Sequence, residues 1–450
     1  TVWLGRYDTD AFAALSLAFP LIFFLISIGG GFTTAGSILV AQYTGAKSEA
    51  SAGKVAGQTL SYVIGIAFIL GLIGFLATDQ MLAILPAEGT TETVVIPLAG
   101  KYMRIFFLGL PFLFGFFVFA SLMRGYGNTR TPMRVMAISV AANVVLDPFL
   151  IFGWGPFPEL GIEGAAIATI FSRSVATVIG LYLLFYTSAG PAVIPRHLMP
   201  DLSIVSKITR VGLPSAAEQS MSSVAMITLT GMVATFTPAV VAAYGIGNRL
   251  ISLAFLPALG MGRATNTMVG QNLGAGKADR AESAVLLAIS VSGGILLLVG
   301  IFAFTFPTTI VGAFISTGTS QAAETIQLGS EYVRIRSFEF LFMGVMQVLL
   351  GAYRGAGNTK TALAFSIVTL WIARVPTVFY LALDTTIALS ILGYELSITT
   401  LGLGPDGIWT GMAVGHIVGA ITAGLWFTRG TWRKAVVDEQ KTSPSSGEEA

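Results

Sequence analysis

The sequence of 450 residues lacks cysteine, has only two histidines, and carries few charged residues, which make up 11% of the chain. Without cysteine there is no disulfide, no thiol nucleophile and no cysteine-ligated metal site. The two histidines, His197 and His416, are too far apart in sequence to suggest a metal site. Soluble domains carry about 25% charged residues. These shortages exclude a water-soluble enzyme, a disordered protein and a nucleic-acid binder.

Long apolar stretches fill most of the chain, in which 54% of residues are hydrophobic. A helix needs about 20 apolar residues to cross a bilayer. Thr1–Gly5 fits the tail of one further helix. We therefore predict an all-α polytopic membrane protein with about eleven complete spans, at residues 11–42, 55–86, 95–123, 132–153, 164–188, 211–236, 240–270, 284–315, 325–353, 361–383 and 406–428.

Basic residues concentrate in every second connection between these spans, and the other connections are acidic or neutral. Because cytoplasmic loops carry an excess of lysine and arginine, the chain is oriented with its linker and its C-terminus in the cytoplasm of a multi-pass cell-membrane protein. Arg334 and Arg336 are exceptions, predicted at the entrance of a span. The C-terminal tail is polar and is predicted to be disordered.

The chain also resembles itself at a shift of about 230 residues. The sequence RGYGNTRT at Arg124–Thr131 recurs as RGAGNTKT at Arg354–Thr361, and VAQYTGA at Val40–Ala46 is matched by VGQNLGA at Val269–Ala275. A shift that spans six helices gives both copies the same orientation, which is the parallel-repeat plan of some transporters. Transport is the leading interpretation. We predict an N-terminal lobe at 1–190, a cytoplasmic linker at 191–210, a C-terminal lobe at 211–432 and a disordered tail at 433–450.

The repeated Arg-Gly-x-Gly-Asn-Thr loop has a structural explanation. Arg124 is expected at a helix C-terminus, where the helix dipole favours a cation. Gly125 and Gly127 are expected to supply the positive φ of a helix stop. Thr131 is expected to cap the next helix, with Pro132 at its first position. A phosphate cradle is the alternative, but the loop lacks the lysine and the spacing of a P-loop.

Asp147 is the leading candidate for a functional charge inside a span, because ionisable groups are costly in a membrane. Asn143 lies four residues earlier and shares its helical face. Pro148 follows and cannot donate a backbone hydrogen bond, which frees a carbonyl in the preceding turn. These groups suit Na⁺, and a desolvated carboxylate suits a proton. The alternative is that Asp147 pairs with Arg173 or caps a turn.

Other ionisable residues within spans are weaker candidates. Glu218 is a second candidate protonation or substrate site, and a salt bridge near the cytoplasmic end is an equal alternative. For Glu339 and Arg374, we favour a role in a structural ion-pair network. For His416, we favour a packed histidine over a proton relay. Aligned on Pro376, the second copy has no counterpart of Asn143 and Asp147, which assigns ion coupling mainly to the N-terminal lobe.

Taken together, these motifs resemble the multidrug and toxic compound extrusion (MATE) family. The resemblance covers nearly the whole chain. It depends on the order and duplication of VAQYTGA, RGYGNT with RGAGNT, NVVLDP, GIEGAAIAT and GLP. It implies twelve helices in two six-helix lobes with a V-shaped architecture, and export of organic cations, drugs or metabolites in exchange for Na⁺ or H⁺.

The resemblance is to the DinF-like and archaeal branches, and it also implies site residues. It makes Asn143 and Asp147 cation ligands and adds Thr169 from the next helix. In the family, the first helix ends in Asp-Thr-x-x-x-Gly, and this chain starts at the threonine. The resemblance therefore implies that most of the first helix, with an aspartate just before Thr1, is missing, so that the chain is either a fragment or impaired in transport.

Alternatives and partners complete the predictions. A lipid-linked oligosaccharide flippase of the same superfamily is the alternative function, disfavoured because most arginines fall in cytoplasmic loops. An intramembrane enzyme lacks a catalytic constellation. We expect no cofactor beyond the coupling ion, a small-molecule substrate that is an organic cation, contact with membrane lipids, no nucleic-acid partner and a monomer.

Overall fold

The computed structural model describes residues 2–83, 91–315, 322–391 and 394–437. The chain divides into two compact units. The N-terminal unit comprises Thr1–Ser223 with Val436–Ala450, and the C-terminal unit comprises Val224–Ala435. Most of the tail predicted to be disordered lies outside the described residues.

The N-terminal unit is helical throughout its described part. A π-helix at Thr91–Val95 precedes α5, and a 3₁₀ helix at Pro195–Leu198 lies between α8 and α9. Its α-helices are α1 (Val2–Tyr7), α2 (Thr9–Gly45), α3 (Glu49–Leu76), α4 (Thr78–Leu82), α5 (Ile96–Leu108), α6 (Leu110–Tyr126), α7 (Arg130–Ile151), α8 (Gly161–Tyr186) and the first part of α9 (Leu202–Val233).

The C-terminal unit begins within α9 and adds a short hairpin to its helices. A π-helix at Val368–Arg374 joins α15 to α16. Two antiparallel strands, β1 (Thr386–Ile391) and β2 (Tyr394–Thr399), precede the last helix. The other helices are α10 (Pro238–Gly274), α11 (Ala278–Thr305), α12 (Pro307–Gly312), α13 (Ala322–Ser337), α14 (Phe340–Gly355), α15 (Thr359–Ile367), α16 (Val375–Ala382) and α17 (Pro405–Phe427).

The described helices bear out a polytopic membrane protein. Eight are long and apolar enough to cross a bilayer, and two bent pairs, α5 with α6 and α13 with α14, raise the number to ten. The pairs bend by 54° and 52°. The one predicted span outside these ten, 211–236, coincides with α9. The 32 residues of this helix exceed the length needed to cross a bilayer but include more polar residues. The two bends occupy equivalent positions of the repeat.

The repeated loop forms the same turn in both units, with two corrections to its predicted details. Gly127 and Gly357 adopt positive φ of 102° and 81°, and Gly125 does not. In the first copy, Asn128 caps α7 in place of Thr131, because its Oδ1 accepts a hydrogen bond from the Thr131 N–H at 3.1 Å. An asparagine side chain reaches the free N–H groups of a helix start from the position before it.

Gly125 serves helix packing instead. A Cβ at this position would lie 2.5 Å from the main-chain oxygen of Ser37 in α2. At the equivalent position of the second copy, a Cβ at Gly355 would clash with the main-chain oxygen of Asn266 in α10. Each glycine therefore lets two helix backbones approach closely, as small residues do in membrane proteins.

The linker before α9 is fastened to α3 by polar contacts. The buried side chain of Gln58 donates to the main-chain oxygen of His197 at 2.6 Å and accepts from the N–H of Asp201 at 2.8 Å. Lys54 Nζ lies 2.7 Å from the Asp201 carboxylate. This ion pair lowers the pKa of Asp201 well below its usual range. The helix that follows begins at Leu202, within the range predicted as linker.

Candidate functional site

The predicted pair on α7 comes together as its spacing indicates. Asp147 is 7% exposed. The amide of Asn143, one turn earlier, donates from Nδ2 to Asp147 Oδ1 at 3.1 Å. Helical residues four apart are neighbours on one face, so the contact follows from the local sequence. A buried carboxylate thus has a neutral amide as a hydrogen-bond partner.

Pro148 lies inside α7 without ending it, because the helix continues to Ile151. Since proline has no N–H, the carbonyl of Val144 has no helical donor at this turn. The position next to Asp147 therefore offers an extra backbone oxygen, the ligand type that Na⁺ shares with other hard cations.

Arg173 does not supply the ion pair that was considered as an alternative for Asp147. The structure places its Nη1 at 2.8 Å from Met136 Sδ, with the guanidinium 5.7 Å from the centre of the Phe116 ring. The Arg173 guanidinium therefore contacts a thioether and an aromatic ring and does not neutralise the Asp147 carboxylate.

Thr169 lies on α8, which packs against α7. Its hydroxyl donates to the main-chain oxygen of Ala165 at 2.9 Å, within its own helix. A hydroxyl that donates in this way keeps its lone pairs available to a cation. The hydrogen bonds among the described residues do not join Thr169 to Asp147 or Asn143, so its role as a ligand stays a prediction.

Glu218 is buried, with 2% of its surface exposed, in the part of α9 that belongs to the N-terminal unit. Its surroundings are packed tightly against α2. A Cβ at Gly31 would clash with the backbone of Ala216, and the hydroxyls of Ser27 and Ser223 lie 3.0 Å apart. Gly30 and Gly31 therefore allow α9 to lie directly on α2.

The C-terminal unit contains a second buried polar cluster, which the sequence analysis assigned only in part. Glu339 lies at the bend between α13 and α14 and is fully buried. Arg336, three residues earlier, is 4% exposed and donates from Nε to Glu339 Oε1 at 2.6 Å and from Nη1 to the Tyr332 hydroxyl at 2.9 Å. The ion pair predicted for Glu339 is present, with Arg336 as its main cation.

The other carboxylate oxygen of Glu339 faces two further elements. His416 Nδ1, on α17, lies 3.0 Å from Oε2. Arg374, at the end of the π-helix, places Nη2 at 2.8 Å from the same His416 Nδ1 and at 3.9 Å from Oε2. One carboxylate thus meets two guanidiniums and one imidazole, and His416 is a polar member of the cluster as well as a packed histidine.

Two buried nitrogens beside this cluster have no hydrogen-bond partner among the described residues, Arg374 Nε and Trp409 Nε1. The Trp409 ring packs edge-on against Tyr332 at 4.6 Å and stacks on Tyr244 at 6.4 Å. Because Trp409 and His416 are seven residues apart, they share one face of α17.

Arg336 is the residue whose position the sequence analysis missed. It was predicted at the entrance of a span and is instead buried at a bend. The available signal was its spacing of three from Glu339, which places both on one helical face. Arg249 and Arg263, the arginines of α10, have exposed side chains.

The comparisons with known proteins agree with this architecture. The MatE family model matches residues 1–149 and 214–380. The chain belongs to the MATE family. It is 32% identical over 398 residues to the probable multidrug resistance protein YoeA of Bacillus subtilis, covering 87% of this chain and 82% of that protein. It is 28% identical over 444 residues to the probable multidrug resistance protein NorM of Thermotoga maritima, covering 97% and 89%.

A solved MATE-like structure supports the same conclusion. A MOP superfamily transporter from Pyrococcus furiosus, reported with a reverse polarity of its binding pocket, matches with a TM-score of 0.82 and 25% identity. The match covers 96% of this chain and 91% of that one. This MATE protein is therefore a multi-pass membrane transporter of small molecules in a multidrug efflux family, and not an enzyme.

Proposed function

We propose that this MATE protein is a secondary active antiporter that exports organic cations, drugs or metabolites by alternating access in exchange for Na⁺ or H⁺. Coupling takes place at Asp147 and Asn143, and the C-terminus lies in the cytoplasm. The observation that carries the proposal is the burial of Asp147 beside a neutral amide. A buried carboxylate of this kind gains most from a proton or a cation, because burial disfavours the bare charge.

The NH₂ group of Asn143 donates to Oδ1 of the Asp147 carboxylate. The other carboxylate oxygen, Oδ2, takes up the proton or binds Na⁺, and the hydrogen bond from Asn143 holds the carboxylate in place. Thr169 Oγ1 and the Val144 carbonyl supply further oxygen ligands for Na⁺.

Gradient-driven transport in vesicles tests the proposal. The full chain is reconstituted, a fluorescent organic cation is supplied, and inward Na⁺ and pH gradients are imposed separately. We expect Asp147→Asn to reduce gradient-driven export by about 5- to 150-fold, the range that corresponds to a coupling free energy of about 1–3 kcal/mol. Asp279→Asn, the same change at an exposed carboxylate, is the matched control.

The outcomes separate the ions and can refute the site. Export driven by the pH gradient alone assigns H⁺, and export driven by the Na⁺ gradient alone assigns Na⁺. Wild-type rates in Asp147→Asn under both gradients refute coupling at this residue. No gradient-dependent export by the unmodified chain, with a positive control transporter active in the same vesicles, refutes antiport of that cation by this chain.

A lipid-linked oligosaccharide flippase is the second candidate, and one observation favours it. The buried cluster of the C-terminal unit has two guanidiniums for one carboxylate, and a cationic site suits pyrophosphate. The same guanidiniums are already committed to Glu339, Tyr332 and His416, which favours the antiporter. Translocation of a fluorescent lipid pyrophosphate by the reconstituted chain, with no export of cations, would reverse this order.

A further inference from the structure

We propose that His416 is a proton-binding site of the C-terminal unit, at which Nδ1 exchanges one partner for another. Neutral His416 accepts a hydrogen bond from Arg374, and protonated His416 donates one to Glu339. The site takes a proton as its ligand, and its chemistry does not depend on the ion site at Asp147, which belongs to the other unit.

Two incompatible contacts meet at one atom, Nδ1 of His416. His416 Nδ1 lies 2.8 Å from Arg374 Nη2 and 3.0 Å from Glu339 Oε2. Arginine has only donors, and an ionised carboxylate has only acceptors. A ring nitrogen of histidine is either a donor or an acceptor, depending on its protonation. No single state of His416 therefore satisfies both contacts.

Charged groups around His416 oppose one another, because some favour the neutral imidazole and others favour the protonated one. Arg374 approaches from the π-helix and disfavours an imidazolium. Glu339, at the bend of α13 and α14, favours it. Arg336 already pairs with Glu339 through Oε1, while Oε2 faces the histidine. Among the described residues, the phenol of Tyr332 on α13 accepts from Arg336, and Tyr244 on α10 packs against Tyr332 and Trp409.

The exchange has a structural consequence because the partners lie on different elements. Neutral His416 ties α17 to the π-helix that ends at Arg374, and protonated His416 ties α17 to the bend of α13 and α14. The α17 helix lies very close to Arg374 of the π-helix, because a Cβ at Gly415 would lie 2.9 Å from Arg374 Nε. That nitrogen has no hydrogen-bond partner among the residues described. Short π-helical segments are frequent at functional sites, and Pro376 lies two residues after the end of this one.

The chain offers a direct test because it has only two histidines. We would label histidine with ¹⁵N in the full-length protein, reconstitute it in nanodiscs, and record the ring nitrogens by NMR as the pH is lowered. His416→Gln assigns the two sets of signals, and His197 in the linker is the internal reference. We expect His416 to be the Nε2–H tautomer at alkaline pH, and to gain a proton on Nδ1 as the pH falls.

Two variants test the assigned partners, with opposite expected shifts. Glu339→Gln removes the negative charge beside His416 and should move the protonation midpoint of His416 down by about one pH unit or more. Arg374→Gln removes the opposing charge and should move it up by a similar amount. The pH titration of the unmodified chain shows by itself whether His416 takes up a proton on Nδ1, so the test does not depend on either variant folding.

Two results with the unmodified chain would overturn the proposal. One is a neutral Nδ1–H tautomer at every pH, which would make His416 a permanent donor to Glu339. The other is an unchanged set of ring signals between about pH 5 and 9, where an unperturbed imidazole titrates near 6.5. Since these signals require no transport activity, failure of the proposed antiport leaves this test intact.

Discussion

The two units place different chemistry on the same scaffold. Tyr102 and Tyr332 are equivalent in the repeat, and the bend that carries Glu339 in the C-terminal unit carries Gly109 in the N-terminal unit. In the N-terminal unit, Asp147 has a neutral amide as its partner. In the C-terminal unit, Glu339 is held by a guanidinium and faces a histidine.

The difference teaches that burial of a carboxylate does not by itself make an ion site. Glu339 is the more deeply buried of the two, yet its oxygens are already occupied by cationic groups. Asp147 is left with an amide, so a proton or a cation still improves its environment. The repeat supplies the helices, and the substitutions between its copies decide which polar groups surround the buried carboxylate of each unit.

We expect the largest difference in protein stability between variants in which one of the two buried carboxylates, Glu339 or Asp147, is replaced by an amide. Glu339→Gln leaves Arg336 and Arg374 buried without their anion, and removing one partner of a buried pair costs about 3–5 kcal/mol. Asp147→Asn removes a buried charge with a neutral partner and should leave stability unchanged or raise it. Thermal unfolding of both variants in the same detergent measures the difference. Equal losses of stability would show that the two carboxylates are held alike.

The packing glycines test whether the units are equivalent as scaffolds. Gly125→Ala and Gly355→Ala place a Cβ against a main-chain oxygen of the neighbouring helix, and overpacking of this kind costs about 1–3 kcal/mol. Gly260→Ala is the matched control, because it lies within α10 with no atom within 4 Å of the added Cβ. It should be neutral or slightly stabilising. A loss in only one of the two tested glycines would break the structural equivalence.

The smallest expected effect concerns the other histidine. Partial burial lowers the pKa of His197, and the N–H of Ile194 lies 3.4 Å from its Nδ1, which must be neutral to accept. The linker contact is therefore fully stabilised above the pKa of a free imidazole, about 6.5, and is weakened as the pH falls through the lower folded-state value.

Hydrogen exchange of residues 194–201 measured from neutral to acidic pH checks this effect. We expect the protection of these amides, which is their exchange rate relative to that of an unfolded peptide at the same pH, to fall on acidification in the unmodified chain and to stay constant in His197→Gln. Protection that is independent of pH in the unmodified chain would show that His197 does not stabilise the linker. This titration also separates the linker histidine from His416, which sharpens the comparison between the units.

Local sequence spacing predicted the contacts that occur within one helix. The spacing of four assigned Asn143 and Asp147 to one helical face. For Glu339, the sequence predicted that it belongs to an ion-pair network, but it did not identify Arg336 as the partner. Contacts between helices could not be predicted in this way. The partner of Arg173 lies on α7 and α6, and the histidine and second arginine at Glu339 come from elements far away in the sequence. Several polar residues and glycines of the repeated loop could have capped the helix or allowed close packing. Only the backbone angles and the distance between helices show that Asn128 is the cap and that Gly125 serves packing.

By itself, the sequence determined that this is a membrane protein of duplicated helices with an acidic pair in its first half, because hydropathy, charge position and helical spacing are properties of neighbouring residues. Only the tertiary structure decided which buried charges are neutralised. That depends on how α13, α14, the π-helix and α17 meet. Helix packing brings Arg374 and His416 to Glu339, and it leaves Asp147 beside an amide.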